Sequence, residues 1–137
     1  MDYVAGLDEI FRIIAENVTA PIIWPNTPQK SGQYESQSRA IVAAYTTDDR
    51  QVSFRRSDSK RRFRISGTLI VEFLAPMSDP LAFESVRLQA ESLRNVFRRP
   101  NVNQEIWFRN ARIAEMPSDR MCNRVSVVTR YEYDNLR

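Results

Sequence analysis

Apolar residues near the start of the chain recur every three or four positions, the spacing of one face of an α-helix. They are Val4, Leu7, Phe11, Ile14 and Val18. Asp2 precedes them. Its carboxylate can cap the first turn, because the backbone N–H groups there have no partner within a helix. The pattern therefore predicts an amphipathic helix over residues 3–17.

A second helical pattern begins at Asp79-Pro80, where an N-cap residue stands before a proline at the first helical position. The predicted buried stripe is Phe83, Val86, Ala90, Leu93 and Phe97. Residues on the other face are charged with alternating sign, which favours solvated ion pairs: Glu84, Arg87, Glu91 and Arg94. The helix is expected to end before Pro100.

Elsewhere apolar residues recur at every second position, which is typical of strands. The clearest case has one apolar side, formed by Phe63, Ile65, Gly67, Leu69, Val71 and Phe73. Strands are also predicted over 39–47 and 51–55, with a bulge or bend near Asp48-Asp49, and over 106–114 and 125–133. Residues 20–26 form a short apolar run between prolines, which can pair only at a sheet edge, and residues 26–38 are predicted to be a loop.

The order of helix, strands, helix and strands predicts an α+β fold, with two helices packed on a mostly antiparallel β-sheet. The length of 137 residues suits a single domain over 1–137. Trp107 lies in a predicted strand, where core or sheet-face packing is the simplest interpretation. Trp24 lies between prolines and suits an interface anchor equally well.

Composition favours a protein that works through its surfaces. Of the 20 basic residues only Lys30 and Lys60 are lysine, and arginine is the cation that protein interfaces favour. No apolar run is long enough to cross a membrane, and the first residues do not have the pattern of a secretory signal. We expect a chain that folds in a cytoplasm and contacts no membrane.

Reactive groups are scarce. The chain has no histidine, a single cysteine (Cys122) and three isolated glycines. These counts exclude histidine-dependent triads and dyads, imidazole zinc sites and glycine-rich phosphate loops. The acidic residues Asp48, Asp49, Asp58, Glu72, Glu84 and Asp119 could in principle hold magnesium, but they lie in no motif. We expect no enzymatic activity, no cofactor and no metal.

The densest charge lies in residues 50–64, where one acid, Asp58, stands among Arg50, Arg55, Arg56, Lys60, Arg61, Arg62 and Arg64. The flanking strands predict a long basic β-hairpin. It could be a solvated loop, a nucleic-acid contact, or an arm that docks on an acidic surface of a neighbouring subunit. We favour the docking arm, because an ordered hairpin of like charges needs a partner to offset its cost.

Together these features resemble the phage tail terminator family, the small tail-completion proteins related to the minor tail protein U of lambdoid phages. The resemblance covers nearly the whole chain. Its matching parts are the helix at 7–18, the segment Pro21-Ile22-Ile23-Trp24-Pro25-Asn26, the strands 50–54 and 61–73, and the turn Pro76-Met77-Ser78-Asp79-Pro80.

The resemblance implies a virion protein that forms a six-membered ring on the tail tube, stops tube polymerisation and offers a surface to the head-side connector. The implied partners are copies of the chain, the tube protein and the connector protein, and the basic hairpin could in addition contact DNA in the lumen transiently. A ring needs two different patches on each subunit. We hypothesise that the basic hairpin and Trp24 provide contacts and that Asp48 and Asp49 form the counter-patch.

Two other functions stay open at this point. Other head-to-tail joining proteins share the fold that the resemblance implies, so a connector or neck subunit is one. A small basic nucleic-acid-binding module is the other.

Overall fold

The computed structural model of the chain describes residues 2–25, 37–51, 62–99, 105–117 and 122–136. Its elements are α1 (Tyr3–Asn17), β1 (Ile22–Ile23), β2 (Arg39–Gln51), β3 (Arg62–Pro76), α2 (Pro80–Arg98), β4 (Ile106–Met116) and β5 (Cys122–Leu136). The predicted α+β class is confirmed, with two helices and a five-stranded, mostly antiparallel sheet in this part of the chain.

The strand order in the sheet is β1-β2-β3-β5-β4. β1 pairs in parallel with β2, and all other neighbours are antiparallel. The proline-flanked segment thus pairs at an edge, as predicted. β2 and β3 run side by side from Arg39 opposite Leu74 to Gln51 opposite Phe63. The tip of the predicted basic hairpin, residues 52–61, lies outside the described residues.

Helix α1 begins at the predicted cap, where the Asp2 carboxylate accepts a hydrogen bond from the Ala5 backbone N–H at 2.7 Å. Its buried residues include Ile10 and Ile13, which the sequence pattern omitted. Val4, which the pattern included, is 63% exposed. The first turn instead contacts the sheet through the Tyr3 carbonyl oxygen, which accepts a hydrogen bond from the Tyr133 hydroxyl of β5 at 2.9 Å.

Helix α2 has Asp79 as its N-cap and Pro80 in the first turn, as predicted. Its buried side chains are Val86, Ala90, Leu93, Val96 and Phe97, and Phe83 is half-buried. The Gln89 side chain accepts hydrogen bonds from the backbone N–H groups of Thr19 and Ala20, each at 3.1 Å. This contact ties the end of α1 to the middle of α2.

The core lies between the helices and one face of the sheet. On β3 the predicted alternation is confirmed, because Ile65, Leu69, Val71 and Phe73 are fully buried. Gly67 is on the same face of β3 as these residues. A Cβ there would overlap the Tyr45 carbonyl oxygen and the Tyr131 hydroxyl, so the close approach of β2 and β5 to this point requires glycine.

Candidate interaction surface

The described helices cover one face of the sheet, and the residues that alternate with the core row point to the other. We call this second surface the helix-free face. Cross-strand pairing assigns to it Arg39, Ile41, Ala43, Tyr45, Asp48 and Arg50 of β2; Arg62, Arg64, Ser66, Thr68, Ile70, Glu72 and Leu74 of β3; Trp107, Arg109, Arg112 and Ala114 of β4; and Arg124, Ser126, Val128, Arg130, Glu132 and Asp134 of β5.

The helix-free face is apolar in the middle and charged around it. Ala43, Ile70 and Val128 lie in one cross-strand row and are half-buried. Eight arginines stand against four carboxylates in the residues assigned to the face, which makes it positive. Two large rings also stand out from it, with Tyr45 59% exposed and Trp107 42% exposed.

Asp134 organises the basic residues at the start of β3. It accepts a hydrogen bond from Arg64 Nε at 3.0 Å and lies 3.7 Å from Arg62 Nε. The hydrogen bond that Arg64 donates to Asp134 raises the pKa of the Arg64 guanidinium above its ordinary value. The same guanidinium lies over the Trp107 ring, 5.7 Å from its centroid. These contacts hold Arg64 in a defined position on the face.

The acidic pair lies on β2 beside the predicted irregularity. The β2–β3 register shifts between Thr46 and Asp48, which confirms the expected bulge. Asp48 lies 3.5 Å from Arg50 Nε, and Arg50 is opposite Arg64. Asp48 therefore shares one corner of the helix-free face with Arg50 and Arg64 and forms a patch of mixed charge with them, whereas Asp49, opposite Ile65, points to the helix side of the sheet.

The other residues singled out in the sequence are in varied places. Arg55, Arg56, Lys60 and Arg61 lie outside the described residues, as do Asp58 and Asp119. Trp24 is half-buried, and its ring centroid is 5.3 Å from that of Phe11, so it packs against α1. Glu72 lies 3.6 Å from Arg124. The two tryptophans thus differ, with Trp107 much more exposed than its position in a strand suggested.

A second cluster of arginines, which sequence reasoning missed, lies at the β4 side of the helix-free face. Arg109 is directly opposite Arg130, and Arg112 is opposite Val128 in the next row. All three arginine side chains are exposed. Glu132, 3.6 Å from Arg109 Nε, is the carboxylate beside them. Like charges placed opposite each other destabilise a sheet, so this arrangement suggests a role outside folding.

A β-bulge brings this cluster together. In a regular strand, residues three apart point to opposite faces. Here the β4–β5 register shifts between Arg109 and Arg112, and Asn110 between them has a φ of 59°, so the two arginines point to the same face. Two carbonyl oxygens of the bulge accept hydrogen bonds. Thr129 Oγ1 donates to the carbonyl of Arg109 at 3.0 Å, and Arg98 Nε donates to the carbonyl of Ala111 at 2.9 Å. The bulge is therefore fixed from β5 and α2.

The sequence contains a signal for this bulge. Apolar residues of β4 fall at Ile106 and Phe108 and then at Ala111 and Ile113, so the alternation skips one position at Asn110. Asparagine tolerates positive φ better than most residues. A skipped position at an asparagine predicts one extra residue, and the arginines on either side of it then share a face.

A groove of about 460 Å³ lies between α2 and β4. Arg87 crosses it to reach Glu115 at 3.0 Å, and Glu84, Leu88 and Glu91 line it from the helix. Within the described ranges, no three acidic or cysteine side chains are grouped closely enough to bind a metal. None of the described helices is long and apolar enough to cross a membrane.

Comparison with known proteins gives a fold and no family. No family model matches the chain, and no curated protein matches it. One of the similar solved structures has a TM-score of 0.54 and 18% sequence identity, over 93% of this chain and 94% of that one. The name of that protein describes no activity. A likeness at this level of identity shows that the two chains share a fold.

Proposed function

We propose that the chain is a structural subunit that assembles with its own copies into a ring on the end of a phage tail tube. The ring ends tube polymerisation and provides the surface that the head-side connector binds. Support for this function comes from the sequence resemblance to tail terminators. The α+β fold agrees with the fold expected from it.

The observation that carries the proposal is the composition of the helix-free face. Its half-buried apolar middle is surrounded by arginines, and Tyr45 and Trp107 are exposed at its two sides. Aromatic residues and arginine are the side chains that protein interfaces enrich. A sheet that buries one face under its own helices and carries such residues on the other is suited to bind protein.

The proposed mechanism is complementarity of shape and charge. A ring needs two different patches that meet between neighbouring subunits, and closure of the ring leaves neither patch free. A closed ring on a tube end also covers the surface to which the next tube subunit would bind. No bond is made or broken in this process, so the subunit needs no reactive side chain.

The test is to mix the purified chain with tail tubes and image both by negative stain. Rings at one end of each tube are expected, together with tubes that no longer lengthen when tube protein is added. Rings that bind isolated connectors and ignore tube ends would indicate the connector function instead. A protein that stays monomeric and leaves tube growth unchanged would contradict both functions.

Charge reversal in the basic segment sharpens this test. Changing Arg55, Arg56, Arg61 and Arg62 to Glu is expected to abolish ring formation or capping, because a docking arm would lose its attraction to an acidic surface. The control changes Arg87 and Arg99 of the α2 region to Glu and is expected to cap tubes normally. Normal capping by the first variant would contradict a role for the basic segment.

A nucleic-acid-binding module is the second candidate, favoured by one observation. Arg109, Arg112 and Arg130 lie near the exposed ring of Trp107, and arginines beside an aromatic ring can bind phosphates and a stacked base. Mobility-shift assays across a salt series separate the two functions. Tight binding with a steep dependence on salt would favour the module, whereas a ring subunit is expected to show only weak retardation.

A further inference from the structure

We propose that neighbouring copies of this chain meet through two opposite edges of the sheet, namely the part of β2 that follows its short pairing with β1 at Ala40 and Ile41, and β4. The acidic edge consists of Tyr45 and Asp48 on the helix-free face of β2 and Asp49 on its helix side. The arginine edge consists of Trp107, Arg109 and Arg112 on β4 with Arg130 of β5. The acidic edge of one copy contacts the arginine edge of the next. The inference rests on the proposed function in one respect, namely that the chain assembles with itself.

The two edges lie at the same level along the strands. One cross-strand row runs from Tyr45 through Thr68 and Arg130 to Arg109. A second row runs from Asp48 through Ser66 and Glu132 to Trp107. Two copies placed side by side in the same orientation therefore bring Tyr45 and Asp48 of one beside the arginines of the other, with Asp49 at the same edge on the helix side.

Strand direction agrees with this placement. β2 and β5 run the same way because each is antiparallel to β3, and β4 is antiparallel to β5. The β2 strand of a neighbour would thus lie antiparallel to β4, which is the direction that adjacent strands in this sheet mostly have.

The two edges are opposite in charge. The arginine edge has three guanidinium groups with Glu132 beside them. The acidic edge has two carboxylates on opposite faces of β2: Asp48 is on the same face as the arginines and lies 3.5 Å from Arg50 Nε, and Asp49 is on the helix side. Contact between unlike edges is attractive, and contact between two like edges is repulsive. This asymmetry favours a head-to-tail ring over a two-fold dimer.

The arginine edge has a cost in the isolated subunit that a neighbour would relieve. Arg109 and Arg130 face each other directly, and the bulge adds Arg112 to the same face. Carboxylates from the next copy would offset this repulsion. The same contact would cover Tyr45 and Trp107, whose rings are exposed in the subunit.

Both edges are also interrupted by bulges. The β2 bulge lies between Thr46 and Asp48, and the β4 bulge lies between Arg109 and Arg112. Bulges break the regular row of backbone donors and acceptors that would let any strand pair with an edge. Recognition at these edges therefore depends on side chains, which can select one partner and one register.

Charge exchange between the edges tests the inference. The first variant combines Arg109→Glu with Arg112→Glu, and the second combines Asp48→Arg with Asp49→Arg. Each variant alone is expected to need a concentration about tenfold or more above that of the unmodified chain for half-assembly, measured by light scattering after gel filtration. An equimolar mixture of the two, and the quadruple variant, are expected to assemble again, because each contact once more joins unlike charges.

Two further variants keep the result interpretable. Arg130→Glu changes a residue whose side chain takes no part in the bulge, so it tests the arginine edge if the first variant unfolds. Asp8→Arg with Glu84→Arg makes the same change in net charge as the second variant but on exposed positions of α1 and α2. This control is expected to assemble like the unmodified chain.

The outcomes separate this inference from the proposed function. Assembly that persists in both edge variants, or that the mixture does not restore, overturns the inference even if the unmodified chain caps tubes. Assembly that responds to charge exchange supports the inference even if no tube is capped, and the capping function then fails. A chain that is monomeric both alone and with tubes overturns both.

Discussion

The two faces of strand β3 differ in how deeply their side chains are buried and in what those side chains contact. Towards the helices, Leu69, Val71 and Phe73 are fully buried. Away from them, Ile70 is half-buried and Glu72 lies 3.6 Å from Arg124. Neighbouring residues of one strand thus belong either to the folding core or to a surface suited for recognition.

The energies of the two faces differ accordingly. Burying a large apolar side chain contributes about 1.5–3 kcal/mol to folding, whereas a solvent-accessible ion pair contributes about 0–1 kcal/mol. Substitutions on the helix side should therefore change stability. Substitutions on the helix-free face should change it little and should act on assembly instead.

The largest expected effect comes from Phe73→Ala, which empties a fully buried position. A loss of about 3–5 kcal/mol in the free energy of unfolding is expected, measured by urea denaturation. Ile70→Ala, on the other face of the same strand, is the control and is expected to cost about 1–2 kcal/mol. Equal losses at the two positions would contradict the difference between the faces.

Gly67→Ala is expected to cause the next largest loss in the free energy of unfolding. The added Cβ would overlap the Tyr45 carbonyl oxygen and the Tyr131 hydroxyl, so β2 or β5 has to move. A loss of about 2–3 kcal/mol is expected from this overpacking. Thr68→Ala, the next residue along the strand, points to the helix-free face and serves as the control. Unchanged stability in Gly67→Ala would show that the strands do not approach as closely as described.

Alkaline pH is expected to lower the free energy of unfolding through two buried tyrosines on the helix side of the sheet. Burial raises the pKa of Tyr131 and Tyr133 above that of an exposed tyrosine. Above about pH 10 the unfolded chain releases these protons while the folded chain keeps them, so stability present below that pH is lost as pH rises.

Urea denaturation between pH 8 and 11 checks this dependence. Tyr133→Phe removes one of the two groups and is expected to lose less stability over this range than the unmodified chain. A stability that does not fall on alkalinisation would be the contrary result.

Asp134→Asn is expected to have the smallest effect. It removes the charge that holds Arg62 and Arg64, but the pair with Arg64 is partly exposed. We expect a loss of about 1 kcal/mol or less in urea denaturation. A loss similar to that of Phe73→Ala would place this pair among the determinants of folding, and the contrast between the two faces would fail.

Much of the fold could be predicted because it is encoded locally. The cap at Asp2, the Asp79-Pro80 start of α2 and the alternation of β3 each depend on a few adjacent residues. Val4 was included in the apolar stripe of α1 but is exposed, because periodicity gives the direction of a side chain and not whether another element covers it. The basic hairpin tip and the assembly that we propose remain predictions.

The candidate surface was harder to predict. The residues next to Trp24 and Trp107 in the sequence do not show which of the two rings is the more exposed, since burial depends on which element packs beside each ring. The sequence could not show that Asp134 pairs with Arg64, because the two are 70 residues apart and only the β3–β5 register brings them together.

By itself the sequence determined most of the elements, their order and the apolar faces of α2 and β3, since these follow from periodicity and capping over short stretches. The tertiary structure decided which charges lie together. Arg109, Arg112 and Arg130 form one cluster only because a bulge turns β4 by one residue and β5 pairs beside it. Register is set by long-range packing, so side chains distant in sequence become neighbours only once the sheet has formed.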